Sequence, residues 1–120
     1  MFDGAFETFA RLAQDEGFLP LITYTPSAYT AYAEYVEFAD PSIAPVLVRY
    51  SARLRDYFRD VADRFGFRFF DLTPDLQAAI DAQGSAQGEQ LLYGPHSVHY
   101  TVDGHRVVAQ ALTRFLATLR

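Results

Sequence analysis

Cysteine is absent from the 120 residues. Disulfides, thiolate chemistry and Cys-ligated zinc are thereby excluded. The redox compartment stays open, since a Cys-free chain suits either. Lysine is absent too: all 10 basic residues are Arg, against 15 acidic ones. A net charge of −5 argues against nucleic acid as the main partner, because phosphate binding needs a basic surface. No apolar run approaches the roughly 18 residues of a membrane helix, so no span is expected. Met1-Phe2-Asp3-Gly4 has neither the basic flank nor the apolar core of a signal peptide. If Met1 is the natural start the chain is cytoplasmic; otherwise it was cut from a longer precursor. There are no internal repeats and no low-complexity tract.

What is plentiful is apolar and aromatic. Half the residues are hydrophobic, with 11 Phe and 8 Tyr, which excludes disorder as the main state. The length suits one domain, residues 1–120, with a single core.

Hydrophobic spacing predicts a helix over Asp3–Asp15, with Phe2, Phe6, Phe9, Leu12 and Ala13 on one face and Gly17 as its stop. Phe18–Tyr24 reads as a buried strand. Ser27 can cap a helix carrying Tyr29, Tyr32, Ala33 and Val36, which Asp40-Pro41-Ser42 breaks. A long helix follows over Pro45–Phe65, with Leu47, Tyr50, Leu54, Val61 and Phe65 inward. Arg49, Arg53, Asp56, Arg59, Asp60 and Asp63 read as a solvated face. Gly66 ends it. Phe67–Leu72 is a second strand, and Thr73-Pro74 starts another helix with Thr as cap. Residues 81–90 read as a loop. Leu91–Tyr93 is a short apolar stretch of open type. The last helix starts near Thr101 or Val102, with Val108, Ala111, Leu112, Phe115 and Leu119 as its stripe.

Strands separated by helices imply parallel pairing. Two strands make a poor parallel sheet, since such sheets are buried on both faces and have several members. The missing members come from another copy of the chain or from an upstream segment; a helical fold with minor strands is the third option.

Ligand sites in open α/β sheets gather at the carboxyl ends of the strands. Three segments converge there: Thr25–Ser27, Asp71–Thr73 and the loop Tyr93–Tyr100. His99, in that loop just before a helix, is the candidate general base, or else a loop His bonded to backbone. Asp71 is an accessory candidate as acid or orienting group; a turn-capping role is favoured. Ser27 faces the same choice between nucleophile and helix cap, and the cap needs nothing further. Ser97 reads as a plain loop Ser. His96, His99 and His105 could gather on a metal, but no carboxylate completes a known pattern and His105 falls one turn into the helix, so no metal or other cofactor is expected. Tyr24, Tyr29, Tyr32 and Tyr35 either line a carbohydrate or acyl pocket or, as such stripes more often do, form core and interface.

The run Phe69-Phe70-Asp71-Leu72-Thr73-Pro74-Asp75-Leu76, followed after a loop by His99-Tyr100-Thr101-Val102-Asp103-Gly104-His105-Arg106-Val107-Val108-Ala109, resembles the C-terminal part of SGNH (GDSL-type) hydrolases. Leu21–Ser27 is similar to the penultimate strand of that family, including relatives that act on polysaccharide acetyl groups. The resemblance spans about residues 5–118. It implies an incomplete flavodoxin-like, three-layer αβα fold with few parallel strands, rich in helix. It implies His99 alone as a catalytic match, the base, and an acyl ester or acetylated carbohydrate as ligand; His96, three residues before it, is a further accessory candidate outside the family pattern. The departures are equally specific. There is no Gly-Asp-Ser nucleophile block, and no Asn anywhere for an oxyanion hole. The Asp that precedes the family's His is missing, and Thr101 replaces a helix-cap Asn. The expectation is therefore the back half of such a fold, inactive as an isolated chain. A non-catalytic assembly module that dimerises through open sheet edges or aromatic surface is the alternative. A His-based metal enzyme is the third reading.

Overall fold

The structure, a computed structural model, describes residues 2–83, 91–94 and 98–119. Among them the order is α1 (Asp3–Glu16), β1 (Leu21–Tyr24), α2 (Ala28–Ala31), α3 (Ile43–Phe65), β2 (Arg68–Asp71), α4 (Thr73–Gln83) and α5 (Val102–Ala117). β1 and β2 are parallel neighbours, with Leu21 opposite Arg68 and Tyr24 opposite Asp71. They are the whole sheet among the described residues. The chain is thus helix-rich with a small parallel α/β sheet.

Both strands are shorter than the apolar runs predict, for one shared reason. Gly17 and Gly66 adopt left-handed φ values of 69° and 71° and end α1 and α3. The next residue in each case turns its N–H back onto the helix: Phe18 donates to Ala13 O at 3.1 Å and Phe67 to Ala62 O at 2.8 Å. The expected strands from Phe18 and Phe67 therefore begin at Leu21 and Arg68. The two Phe rings instead join a cluster around Phe6, Phe9 and Phe65. Ala13 of α1 is buried as expected, but Phe2 and Leu12 are half-exposed at the margins of that face.

Side chains alternate across the sheet. Phe69 faces α3, with the Arg59 guanidinium 5.6 Å over its ring, while Phe70 stacks on Phe115 of α5 at 4.4 Å. A second core joins Ala31, Tyr32, Leu72, Leu76, Ile80, Leu92, Tyr93 and Ala111.

The second helix is a single turn. Beyond Ala31 the backbone continues as turns held by side chains: Tyr32 Oη accepts from Leu92 N at 2.7 Å and Tyr35 Oη donates to Asp81 at 3.1 Å. The expected Tyr29–Val36 helical face is replaced by that arrangement. Tyr24 and Tyr32 are buried and Tyr29 and Tyr35 are exposed.

α3 begins at Ile43, two residues before the predicted start, because Pro45 fits in a first turn whose N–H groups have no helical acceptor. Its 23 residues span about 35 Å, against about 13 Å for a four-residue strand. The helix outruns the sheet, and its first two turns face α2 and Phe38 along Ala44 and Leu47 alone. Tyr50, expected inward, is accordingly 64% exposed, and Ile43, Val46 and Val48 are also exposed. The radius of gyration is 16.3 Å, where a compact chain of this length has roughly 14 Å. The accessible surface is 8276 Å², where roughly 6,500 Å² is usual. No described helix is long and apolar enough to cross a membrane.

Candidate functional site

The three segments expected at the carboxyl ends of the strands do meet. Leu72 N donates to Tyr24 O at 3.0 Å, closing the ladder. The Tyr93 hydroxyl donates to Pro26 O at 2.7 Å in a buried contact, which ties the last loop to the end of β1. That loop is itself pinned. Gly94 N donates to His99 O and Thr101 N to Leu92 O, both at 2.9 Å, around a bridge between Tyr93 and Tyr100. The open Leu91–Tyr93 stretch is therefore a bridge segment rather than a strand.

Gly104 explains how α5 approaches this loop. A Cβ placed there would lie 2.0 Å from Leu92 O. Only glycine lets the first turn of α5 rest on the Leu92 backbone. Thr101 caps the same helix, its Oγ1 accepting from Gly104 N at 3.1 Å.

Ser27 sits at the end of β1 as the cap of α2, its Oγ 3.3 Å from Thr30 N and 3.1 Å from Thr30 Oγ1. Asp71 ends β2. Its Oδ1 accepts from Thr73 N at 2.9 Å and its Oδ2 lies 3.5 Å from Arg55 Nη1. Asp71, not Thr73, thus caps α4. The helix starts one residue earlier than the Thr-cap reading requires, so Thr73 falls in its first turn with the side chain turned inward. Its Oγ1 is buried and has no hydrogen-bond partner among the described residues.

His99 carries an exposed side chain on the pinned loop. Its neighbour Val98 lines a cavity of about 330 Å³ together with Tyr24, Ser27, Tyr50 and Ser51. His105 is exposed on α5, its ring 5.6 Å from that of Tyr100. His96 and Ser97 lie outside the described residues. Among the described residues no three His, Asp or Glu side chains gather to hold a metal ion.

A second cavity of about 260 Å³ opens on the other side of Thr30, Leu47 and Ser51, and reaches Arg55, Thr73 and Gln77. The Tyr24 hydroxyl and Ser51 Oγ meet at 3.0 Å in the wall between the two. Ser51 and Arg55 escaped the sequence reading. Their signal is present: they fall on the inward stripe of α3 with Leu47, Leu54 and Phe58, where a polar side chain needs a reason.

Burial, with the Tyr100 phenol beside it, pushes the Tyr93 hydroxyl pKa far up. The hydrogen bond from Tyr35 to Asp81 raises that tyrosine, and the bonds from Ser42 lower Asp40. No family model, curated protein or solved structure matches this chain.

Proposed function

We propose that this chain is an SGNH-hydrolase-like domain bearing the base side of an acyl-hydrolase site, and that alone it does not turn esters over. Its architecture is then an incomplete flavodoxin-like, three-layer αβα arrangement, with acyl esters or acetylated carbohydrates as the ligand class. The observation that carries the reading is the Tyr93–Pro26 bond, which holds the His99-bearing loop against the carboxyl end of β1. That is the end at which open α/β sheets bind ligands.

Acyl transfer needs a nucleophile, a base and oxyanion donors in one place. His99 is the base of the proposal. Ser27 is occupied as a helix cap and Asp71 as the cap of α4. No Gly-Asp-Ser block exists in the sequence. Hydrolysis of p-nitrophenyl acetate by the wild type and by His99→Ala tests the inactivity. Both should match the buffer rate; turnover lost only in the variant overturns it. The family reading is tested upstream of the Met1 codon, where an in-frame Gly-Asp-Ser block would supply the missing nucleophile. A coding sequence without one removes the acyl-hydrolase assignment.

A second reading, a non-catalytic homo-oligomer, draws on the α3 overhang. Ile43, Val46 and Tyr50 form an exposed apolar stripe, and the accessible surface exceeds that of a compact monomer. Light scattering at tens of micromolar decides it. A clean monomer disposes of it.

A further inference from the structure

We propose that the cavity between α2 and the first half of α3 binds a small amphipathic carboxylate, its head on Arg55 and Thr73 and its apolar body against Phe38, Leu47 and Val48. The proposal does not depend on the hydrolase reading.

The starting observation is Thr73. Its side chain is 2% exposed, and its hydroxyl has no hydrogen-bond partner among the described residues. Buried hydroxyls are almost always paired, and an exception at the wall of a cavity points to a group that enters the cavity. Water can enter, since Thr30, Ser51, Arg55, Thr73 and Gln77 line the cavity, but it brings no charge to the Arg55 guanidinium. Two of the remaining polar groups are already engaged. Gln77 Nε2 donates to Thr30 O at 3.2 Å and Ser51 Oγ is paired with Tyr24.

Charge then selects the ligand. Arg55 offers five N–H donors, and among the described residues it makes one contact, the 3.5 Å approach to Asp71 Oδ2. Asp71 is the acidic group at this floor, and its other oxygen takes the Thr73 N–H. Donors therefore outnumber acceptors, and the entering head must accept only. A carboxylate does so and matches the guanidinium fork. The rest of the wall asks for an apolar body. A volume of about 260 Å³ lies below the range of drug-sized ligands, which limits that body to a short chain or one ring.

Hexanoate is the probe, with hexan-1-ol and hexylammonium as the neutral and cationic counterparts, each titrated into the full chain at pH 7 and followed by amide NMR shifts. Hexanoate should saturate in the millimolar range and bind at least tenfold tighter than either counterpart, with shifts at Thr73, Arg55 and Leu47. Arg55→Gln and Thr73→Val should each weaken hexanoate by roughly tenfold and leave hexan-1-ol unchanged. Equal binding of hexanoate and hexan-1-ol overturns the proposal, as does no saturation by about 50 mM or shifts confined to other residues. The ligand comparison uses only wild-type protein, so the proposal stays open to refutation even if Arg55→Gln does not fold.

Discussion

At the amino ends of the two strands, Phe6, Phe9, Phe18, Phe65 and Phe67 meet ring on ring, at centroid distances of 5.3–6.5 Å. At the carboxyl ends, hydroxyls and a guanidinium line two cavities, and the buried hydroxyls of Thr73 and Tyr100 are unpaired among the described residues. Side chains with nothing polar to satisfy need only meet one another, and here they do so beside an open surface hollow of about 620 Å³ lined by Phe18, Phe65 and Phe67. Polar groups must be met one by one, and a fold that leaves one unmet keeps room for a visitor. The first end accounts for cohesion, and the second holds the two cavities on which the proposals rest.

The comparison breaks most visibly at Gly104. Gly104→Ala drives a methyl into the Leu92 carbonyl. About 4 kcal/mol of stability should be lost, since backbone rather than a flexible side chain must move. A shift of less than about 1 kcal/mol in urea unfolding would show that the last loop is not pinned as described. Next comes the aromatic end. Phe67→Ala should cost about 3 kcal/mol by the same measurement, because its ring is buried against those of Phe6, Phe9 and Phe65. Equal small losses there and at Leu47, on the open side, would erase the contrast between the two ends.

Tyr93→Phe is smaller and depends on pH. At pH 7 loss of the bond to Pro26 O should cost about 1 kcal/mol. The folded Tyr93 hydroxyl holds its proton to higher pH than an unfolded tyrosine, whose pKa is about 10. Above that value the unfolded state binds fewer protons, so Tyr93 contributes its full stability below about pH 10 and loses it as pH rises further. Circular dichroism across pH 8–12 should show a shallower alkaline decline in the variant; parallel curves would contradict this. The smallest effect has the opposite sign. Thr73→Val removes an unpaired hydroxyl at nearly constant volume and should stabilise the ligand-free chain by about 1 kcal/mol. Destabilisation of that size would mean the hydroxyl has a partner.

Helix identity was legible in the chain because Gly17, Gly66 and the apolar spacing act locally. Parallel pairing of the two strands also followed, from the helices between them. What was not legible depends on long-range contacts. The late strand starts are the exception, because the return of the Phe18 and Phe67 N–H groups follows locally from the Gly17 and Gly66 stops. The single turn of α2 depends on a tyrosine hydroxyl finding Leu92, 60 residues away. Tyr50 was misread because helical spacing reports which face a residue is on, not whether the sheet reaches that far. At the candidate site, the capping roles of Ser27 and Asp71 could be read from residue type. The cavity floor could not, since Arg55 and Thr73 come together only when α3 packs beside β2.

The paired glycine stops also limit how the sheet can grow. Each is followed by a Phe whose amide is already spoken for, so β2 cannot lengthen towards its beginning and β1 can gain no more than Leu19 and Pro20, whose carbonyl oxygen already accepts from Arg68 N at 2.9 Å. Any neighbour that lays itself alongside finds strands of four residues, with one further bond at each end of the ladder. So short a rail sets register tightly and gives little adhesion, so lasting attachment must come from side chains beyond it.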